Sequence, residues 1–578
     1  MTERQIPELR DVRRLTGANF LMSCPGAAAE APLQDTTKSI AMALWRRETR
    51  KLLDAVGWSQ ERIVMRAFSG GATLQISAPT DALYAATEIV EAAWAATDAL
   101  LHSETSPVLE DQAAQLRDKI AAERRPAEVA LEDAAKARGV TYLGHDGQVS
   151  LGLGQGVRVW SDADVPAIDT VPWDTIHDIP IAMVTGTNGK STTVRLAAAI
   201  GAAAGKCVGL SSSDWVRVGG EILDEGDYSG PAGARLAVRD PRVELAIIET
   251  ARGGLMRRGL PVPRADACLL TNIAADHLGG YGITDVPALA DAKFQLADAV
   301  KPGGRLILNG DDPELVSRSA RFGGEITWYG LNLDQQALDV WIAEGGHAAF
   351  VSDGQMILAR DGVRAPILPV VDFKPGLGGA AKFNISNALG AIGLADALGL
   401  PVEAMTDGLS SFTGSPEENP GRGNFIELGG VTLLIDFAHN PHGILALAEA
   451  VQSIPAKRRL FIAGQAGDRS DQDTREMMQA IWVAEPDMVV IKELPKKLRG
   501  RQLGELTAVI ANELSKLGAK PDGMLKADTE FEAVRASLKW AKPGDFLVLL
   551  LHDDRKPTMD LIQQLQTIGW QAGEALPD

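Results

Sequence analysis

Residues 184–194 read VTGTNGKSTTV, a glycine-broken loop between an apolar run, Ile181 to Val184, and an alanine-rich stretch of helical character. A buried strand that breaks at Gly186, turns through Gly189 and enters a helix at Lys190 aims several backbone N–H groups and a helix N-terminus at one point. Such a point suits a polyphosphate. Lys190 can neutralise the outer phosphates, and the Ser191 hydroxyl can ligate Mg²⁺. A full G-x-x-x-x-G-K-[ST] loop needs glycine at 184, where this chain has Val184. The loop is therefore a short one, and the strand before it with the helix after it favours a nucleotide site over chance.

Other polar groups fall at the ends of apolar runs, where open parallel sheets build their sites. Glu249 closes LAIIE, and His277 follows ACLLTNI in the tract TNIAADHLGG. A carboxylate and an imidazole beside the phosphate loop could complete the shell of one or two Mg²⁺ ions; the plainer alternative is a helix-capping glutamate and a surface histidine. A carboxylate ending a buried strand needs a partner, which favours function for Glu249. On spacing alone Lys293, in LADAKFQLADAV, is a solvated helical lysine. LNGDDP (308–313) reads as a turn with paired acids. Further on, NPGRGN places Arg422 in a Gly/Pro loop, where it could reach a γ-phosphate upon domain closure. IDFAHNP ends a strand on Asp436 and continues to His439 and Asn440; AGQAGDRS carries Asp468 and Arg469; RGRQLGE carries Arg499, Arg501 and Glu505. Each alone reads as a loop-stabilising contact. Four such loops after strands in one block point to a substrate cleft.

The elements that must position these groups follow from patterning. Apolar runs at 181–184, 245–248, 267–270 and 305–308, each followed by a turn and often a helix, predict a parallel α/β sheet. A second α/β block is expected from about 425, with strands at 431–436, 459–463, 487–491 and 546–551. Strand-like pieces at 63–67 and 72–76 with a helix near 80–102 predict an α+β unit at the start. Short strands around 340–370 suggest a β-rich insert, and 383–399 an apolar helix. The chain of 578 residues, 45% hydrophobic and 23% charged, is long enough for three or four domains. Its net charge of −19 without a long basic run argues against nucleic acid or an anionic membrane as partner. Three scattered cysteines, a start lacking a signal-like apolar core and no run of 18 apolar residues favour a cytoplasmic location.

Taken together, GTNGKST, ETARGG, TNIAADHLG, the lysine after it, FNISN (383–387), NPGR and DFAHNP resemble the Mur ligase superfamily, whose members use ATP to join a carboxylate to an amine. Within it, DYSGPAGA, ETARGGLMRRGL, GDRSD and RGRQLGE most resemble the C-terminal half of the cyanophycin synthetases, over about residues 180–560. The resemblance implies that Gly186, Thr187, Asn188, Gly189, Lys190, Ser191 and Thr192 bind ATP phosphates, with Ser191 toward Mg²⁺. It matches Glu249 and His277 to Mg²⁺ ligands and Lys293 to a lysine carried as a carbamate in many members, which reverses the reading from spacing. Asn387 matches an adenine contact, Arg422 a γ-phosphate contact and Asp436 an acid near the ribose. His439, Asn440, Asp468, Arg469, Arg499, Arg501 and Glu505 are expected on the substrate side.

The resemblance implies an α/β chain in four parts: an N-terminal α+β domain (1–105), the remnant of a lead-in to an ATP-grasp module with a linker (106–175), a central P-loop parallel-sheet ATPase domain (176–418) and a C-terminal Rossmann-like domain (419–578). LTGANFL (15–21) and the tract 126–160 resemble the synthetases' N-terminal half, but only residues 161–180 separate Trp160 from the phosphate-loop strand, so the ATP-grasp core is missing. The expected function is an ATP-dependent carboxylate–amine ligase working through an acyl phosphate. It would join an amino acid, with a basic one among the candidates, to an aspartate-like carboxylate on a small molecule or peptide, and self-associate as the synthetases do. Two readings stay open: a catalytically silent nucleotide-binding regulator of a polymer synthetase, and a peptidoglycan or folylpolyglutamate type of ligase.

Overall fold

The structure, a computed structural model, describes residues 8–145 and 147–577. Its centre is an 11-stranded sheet. Seven strands run parallel in the order Val208–Ser211, Leu245–Glu249, Ile181–Thr185, Ala265–Leu270, Val300–Asn309, Glu325–Gly330 and His347–Ser352. The phosphate-loop strand lies in the interior of this array, so it is covered on both faces and reads as a continuous apolar run. Parallel register sets the chemistry: Glu249 pairs with Val184 and Leu270 with Thr185, bringing three strand ends level with the loop.

The tract expected as a β-rich insert is instead an extension of this sheet. Strands His347–Ser352, Gln355–Arg360 and Val363–Pro369 add to its far edge, the last two antiparallel. Short strands with Gly/Asp turns mark hairpins equally well whether they stand apart or join an existing edge. The helix Lys382–Ala397 has buried side chains nearly all round, because it lies between the sheet and the phosphate-loop helix Lys190–Ala203.

The second block is a six-stranded sheet in the order Asn424–Leu428, Val431–Asp436, Phe546–Leu550, Arg459–Ala463, Met488–Lys492 and Met524–Ala527. All neighbours are parallel except the first pair. At the other end of the chain, Arg10–Leu15, Gly26–Pro32, Gly71–Ser77 and Ile63–Phe68 form an antiparallel sheet backed by helices Asp35–Ala55 and Leu83–Leu101. Leu116 and Ile120 of helix Leu109–Glu123 are buried in that same core, so it runs on past residue 105. A small sheet, Tyr142–Leu143, Gln148–Leu151 and Arg158–Ser161, precedes three-residue turns around 168–175. Among the described residues no helix is long and apolar enough to cross a membrane.

Candidate active site

The phosphate loop is built as its glycines require. Gly186 has φ +145° and Gly189 φ +84°, a backbone region costly to residues with a Cβ. The space is also closed: a Cβ on Gly186 would stand 1.8 Å from Thr271 Oγ1, and one on Gly189 2.2 Å from Asn387 Oδ1. The loop is held from the neighbouring strand end, where Thr187 N donates to the Asn272 carbonyl (2.8 Å), Asn188 N to Asn272 Oδ1 (2.9 Å) and Thr271 Oγ1 to the Asn188 carbonyl (2.6 Å).

Two lysines meet at this loop. Lys190 Nζ donates to the Thr187 carbonyl at 3.0 Å and Lys293 Nζ to the Gly186 carbonyl at 2.5 Å. Lys293 is 4% exposed, so the solvated lysine expected from spacing is a buried one; its helix turns it inward beneath the loop. Burial pushes the Lys293 amine well below its ordinary pKa, and Lys190 adds to that push. Burial likewise lowers Lys190, against the opposing pull of Glu249 and Asp276.

Glu249 is buried and accepts the Ser213 backbone N–H at 3.2 Å, while Ser213 Oγ lies 3.0 Å from Ser191 Oγ. Arg422 Nη2 donates to that same Ser213 Oγ at 2.8 Å. The structure thus gathers Ser191, Glu249 and Arg422 around Ser213. Thr192 is tied to the 419–422 loop through Asn419 Nδ2 (3.4 Å), and buried Asn387 sits over Gly189 with Nδ2 3.4 Å from Asn384 Oδ1. Asp436 accepts from Gly423 N (2.8 Å) and Ala438 N (2.6 Å), so its carboxylate braces two loops of its own block; burial raises its pKa. Asn440 caps the helix Pro441–Gln452 and exchanges side-chain amide bonds of 3.2 and 2.9 Å with Asn188.

Beside the loop a cleft of about 280 Å³ opens between the two sheets, lined among others by Arg252, Asp276, His277, His439, Gln465 and Arg469. Asp276, beside His277 in TNIAADHLG, is its centre. It accepts Arg469 Nη2 at 2.7 Å, with His439 Nε2 at 3.8 Å and His277 Nε2 at 3.9 Å. Burial opposes its ionisation, but the neighbouring imidazoles of His439 and His277 and the Arg469 guanidinium hold its carboxyl far below the usual range. Desolvation by the cleft walls depresses His277 to about 4 despite Asp276, although its side chain is 47% exposed, with Arg469 and His439 adding to the effect. His277 has φ +49° and its Nε2 lies 3.2 Å from Arg469.

The remaining expected substrate residues divide. Asp468 lines the cleft mouth and is paired with Arg499. Arg501 and Glu505 bind each other at 2.9 Å, and Arg501 also holds Asp471 (2.8 Å) and the Arg469 carbonyl (2.8 Å). They stand behind the GDRSD turn and hold it in place. Asp311 and Asp312 of LNGDDP are structural: Asp312 caps a helix and accepts Ile273 N at 2.6 Å, bracing the TNI segment. Besides Asp276, sequence reasoning missed Arg252, Gln465 and Ser213. ETARGG carried a signal for Arg252, TNIAADHLG for Asp276 and AGQAGDRS for Gln465; Ser213 lies in no such motif and takes its place from long-range folding.

Residues 184–395 match the Mur ligase middle domain, and residues 421–550 the glutamate ligase domain of Mur ligases. The chain is 37% identical over 346 residues to a cyanophycin synthetase of Synechocystis sp., covering 60% of this chain but 39% of that protein. It therefore spans about two fifths of the length of that relative. A UDP-N-acetylmuramoyl-L-alanyl-D-glutamate–2,6-diaminopimelate ligase of Geobacter metallireducens is 27% identical, with 64% of this chain and 73% of that one covered. In fold the chain is similar to E. coli FolC in complex with ADP, at a TM-score of 0.50 and 22% identity over 67% of this chain and 90% of that one. With both domains matched in order from 184 to 550, the chain belongs to the Mur ligase family.

Proposed function

We propose that this protein is an ATP-dependent ligase that activates a carboxylate as an acyl phosphate and joins it to an amine. The observation that carries the reading is the union of a phosphate-binding loop, with Lys190 and Ser191, and an adjoining polar cleft whose walls come from both Mur-type domains. In this reading residues 176–418 bind ATP and 419–578 present the amine, while 1–105 and 106–175 flank them.

Carboxylate is a poor electrophile at neutral pH, and phosphorylation gives it a leaving group. Lys190, Arg422 and the loop N–H groups draw charge from the transferring phosphoryl group and hold it in line. Ser191 and Glu249, joined through Ser213, offer hard oxygen donors that fit Mg²⁺, with His277 as a third candidate. Bound there, the ion would neutralise phosphate charge. The depressed pKa of Lys293 favours the neutral amine that carbamate formation requires. The amine substrate arrives as an ammonium and must lose a proton before attack. His439 Nδ1 donates to the Phe437 carbonyl at 3.0 Å, which leaves the Nε2 lone pair facing the cleft; Asp276 then stabilises the imidazolium. The 37% identity to the Synechocystis protein over 346 residues supports a cyanophycin-type substrate, an aspartate-like carboxylate with a basic amino acid as the amine.

Incubation with ATP, Mg²⁺ and pools of acids and amines, read as phosphate release and product mass, tests this. The expected product is acid plus amine less water, with phosphate release dependent on both, and Lys190→Ala should abolish it while leaving the fold intact. Full activity of that variant sinks the assignment, and phosphate release without acceptor dependence favours the regulator instead.

A further inference from the structure

Asp214, next to Ser213, is the meeting point of three guanidinium groups. Arg195 of the phosphate-loop helix approaches Oδ2 at 2.5 Å, Arg555 approaches Oδ1 at 2.7 Å, and Arg422 Nε stands 3.9 Å from Oδ2. The last two come from the C-terminal block, so one carboxylate of the central sheet holds two cations of its neighbour. The aspartate is 8% exposed and Arg195 2%, which places the cluster where charge is weakly screened. Burial opposes ionisation of Asp214, but Arg195, Arg422 and Arg555 together outweigh it. The contacts continue outward. Arg555 Nη1 also donates to the Pro420 carbonyl (3.1 Å), and Arg195 Nη1 to Asn419 Oδ1 (2.7 Å). The segment 419–422 that joins the two blocks is thereby fastened to the helix that begins at Lys190.

We propose that Asp214 is a positioning residue: it aims Arg422 at the phosphate end of the loop and, through Arg555, clasps the C-terminal block shut over it. The inference rests on the ligase reading for its purpose and on geometry alone for its existence. Three cations around one carboxylate leave positive charge in excess beside Ser191, and the phosphates of a nucleotide are the anions that would balance it. An isolated structural ion pair needs one arginine; two more, supplied across the domain boundary, make closure and phosphate binding draw on the same carboxylate.

The test uses the full chain without nucleotide and with Mg·ADP, comparing wild type with Asp214→Asn and Arg555→Met. Amide hydrogen exchange in 419–423 and 553–557 should quicken about tenfold in both variants, the factor expected from losing one charge-assisted bond, while exchange in the central strands stays unchanged. Mg·ADP should still bind Asp214→Asn, and any ligation should fall in kcat more than in KM for ATP. Unchanged exchange in those segments in a folded Arg555→Met protein overturns the clasp, and that half-exposed position keeps the test open if Asp214→Asn does not fold. Failure of wild type to bind Mg·ADP would count against the nucleotide reading instead, because the exchange comparison is complete without ligand.

Discussion

At the scale of residues, the site sets unlike pKa values side by side. Lys190 and Lys293 lie under one loop, and Asp276 holds its charge among two imidazoles and an arginine. His277 has a shift readable in pH, in the window to which His442 and His552, also lowered by burial, contribute. Its folded pKa, about 4, lies below the ordinary histidine value of 6.5, so between these values the unfolded chain binds a proton that the folded chain does not. Stability therefore rises with pH across that window and falls as pH drops from about 6.5 toward 4. His277→Asn should flatten this part of the stability profile, measured by urea unfolding at a series of pH values, and an unchanged slope would contradict the assigned environment. The residues legible in the sequence were those inside motifs: Lys190, Ser191, Glu249 and Arg422 gather where a phosphate loop needs them. Asp276 stands in a motif too, beside His277 in TNIAADHLG, yet its role is not legible there, because it comes from Arg469 and His439 of the other sheet, over 160 residues away in the chain. Arg501 and Glu505 carry the residue types of a substrate contact, yet they satisfy one another.

At the scale of elements, strand ends in parallel register deliver the chemistry, and glycine permits the turn that uses them. Gly189→Ala places a Cβ against Asn387 in a left-handed backbone. The conformational cost of about 1–2 kcal/mol, with that clash, should weaken Mg·ATP binding at least tenfold in fluorescence titration while the melting profile stays cooperative; unaltered affinity would contradict this loop geometry. In the second sheet, buried Lys492 ends one strand and pairs with Glu530, whose carboxylate also accepts the backbone N–H groups of His552, Asp553 and Asp554 at 2.7, 2.8 and 2.6 Å. His552 Nε2 in turn donates to the Ala438 carbonyl at 3.0 Å, bracing the loop that carries His439. Lys492→Met leaves that carboxylate uncompensated and should cost about 3–5 kcal/mol, read by urea denaturation; a loss below 1 kcal/mol would show the pair to be dispensable. Four of the six second-block strands are plain in the sequence because each is an apolar run between turns; the edge strands Asn424–Leu428 and Met524–Ala527, only partly buried, carry no such run. The tract 347–369 looks like an insert in sequence and is a sheet extension in the structure, since local periodicity does not say which edge a hairpin joins.

At the scale of the molecule, the N-terminal unit buttresses the cleft wall from behind. Arg13 Nε donates to the Met256 carbonyl (2.8 Å), Leu260 N to the Ala18 carbonyl (2.8 Å) and Arg66 Nη2 to the Gly282 carbonyl (2.7 Å). These contacts fix the segments on either side of Arg252 and Gly280, which line the cleft. No motif announces them, because they are bonds to backbone across some 200 residues of sequence. The family domains cover 184–395 and 421–550, so the first 183 residues frame a site whose chemistry lies beyond them. Activation of a carboxylate at this site leaves an isotopic trace, and oxygen-18 transfer reads it. With the acid labelled in its carboxyl oxygens and supplied with ATP, Mg²⁺ and the amine, the phosphate released should carry one oxygen-18 atom from the acid, because the bridging oxygen of the acyl phosphate leaves with phosphorus. Amide product formed alongside unlabelled phosphate would contradict the account.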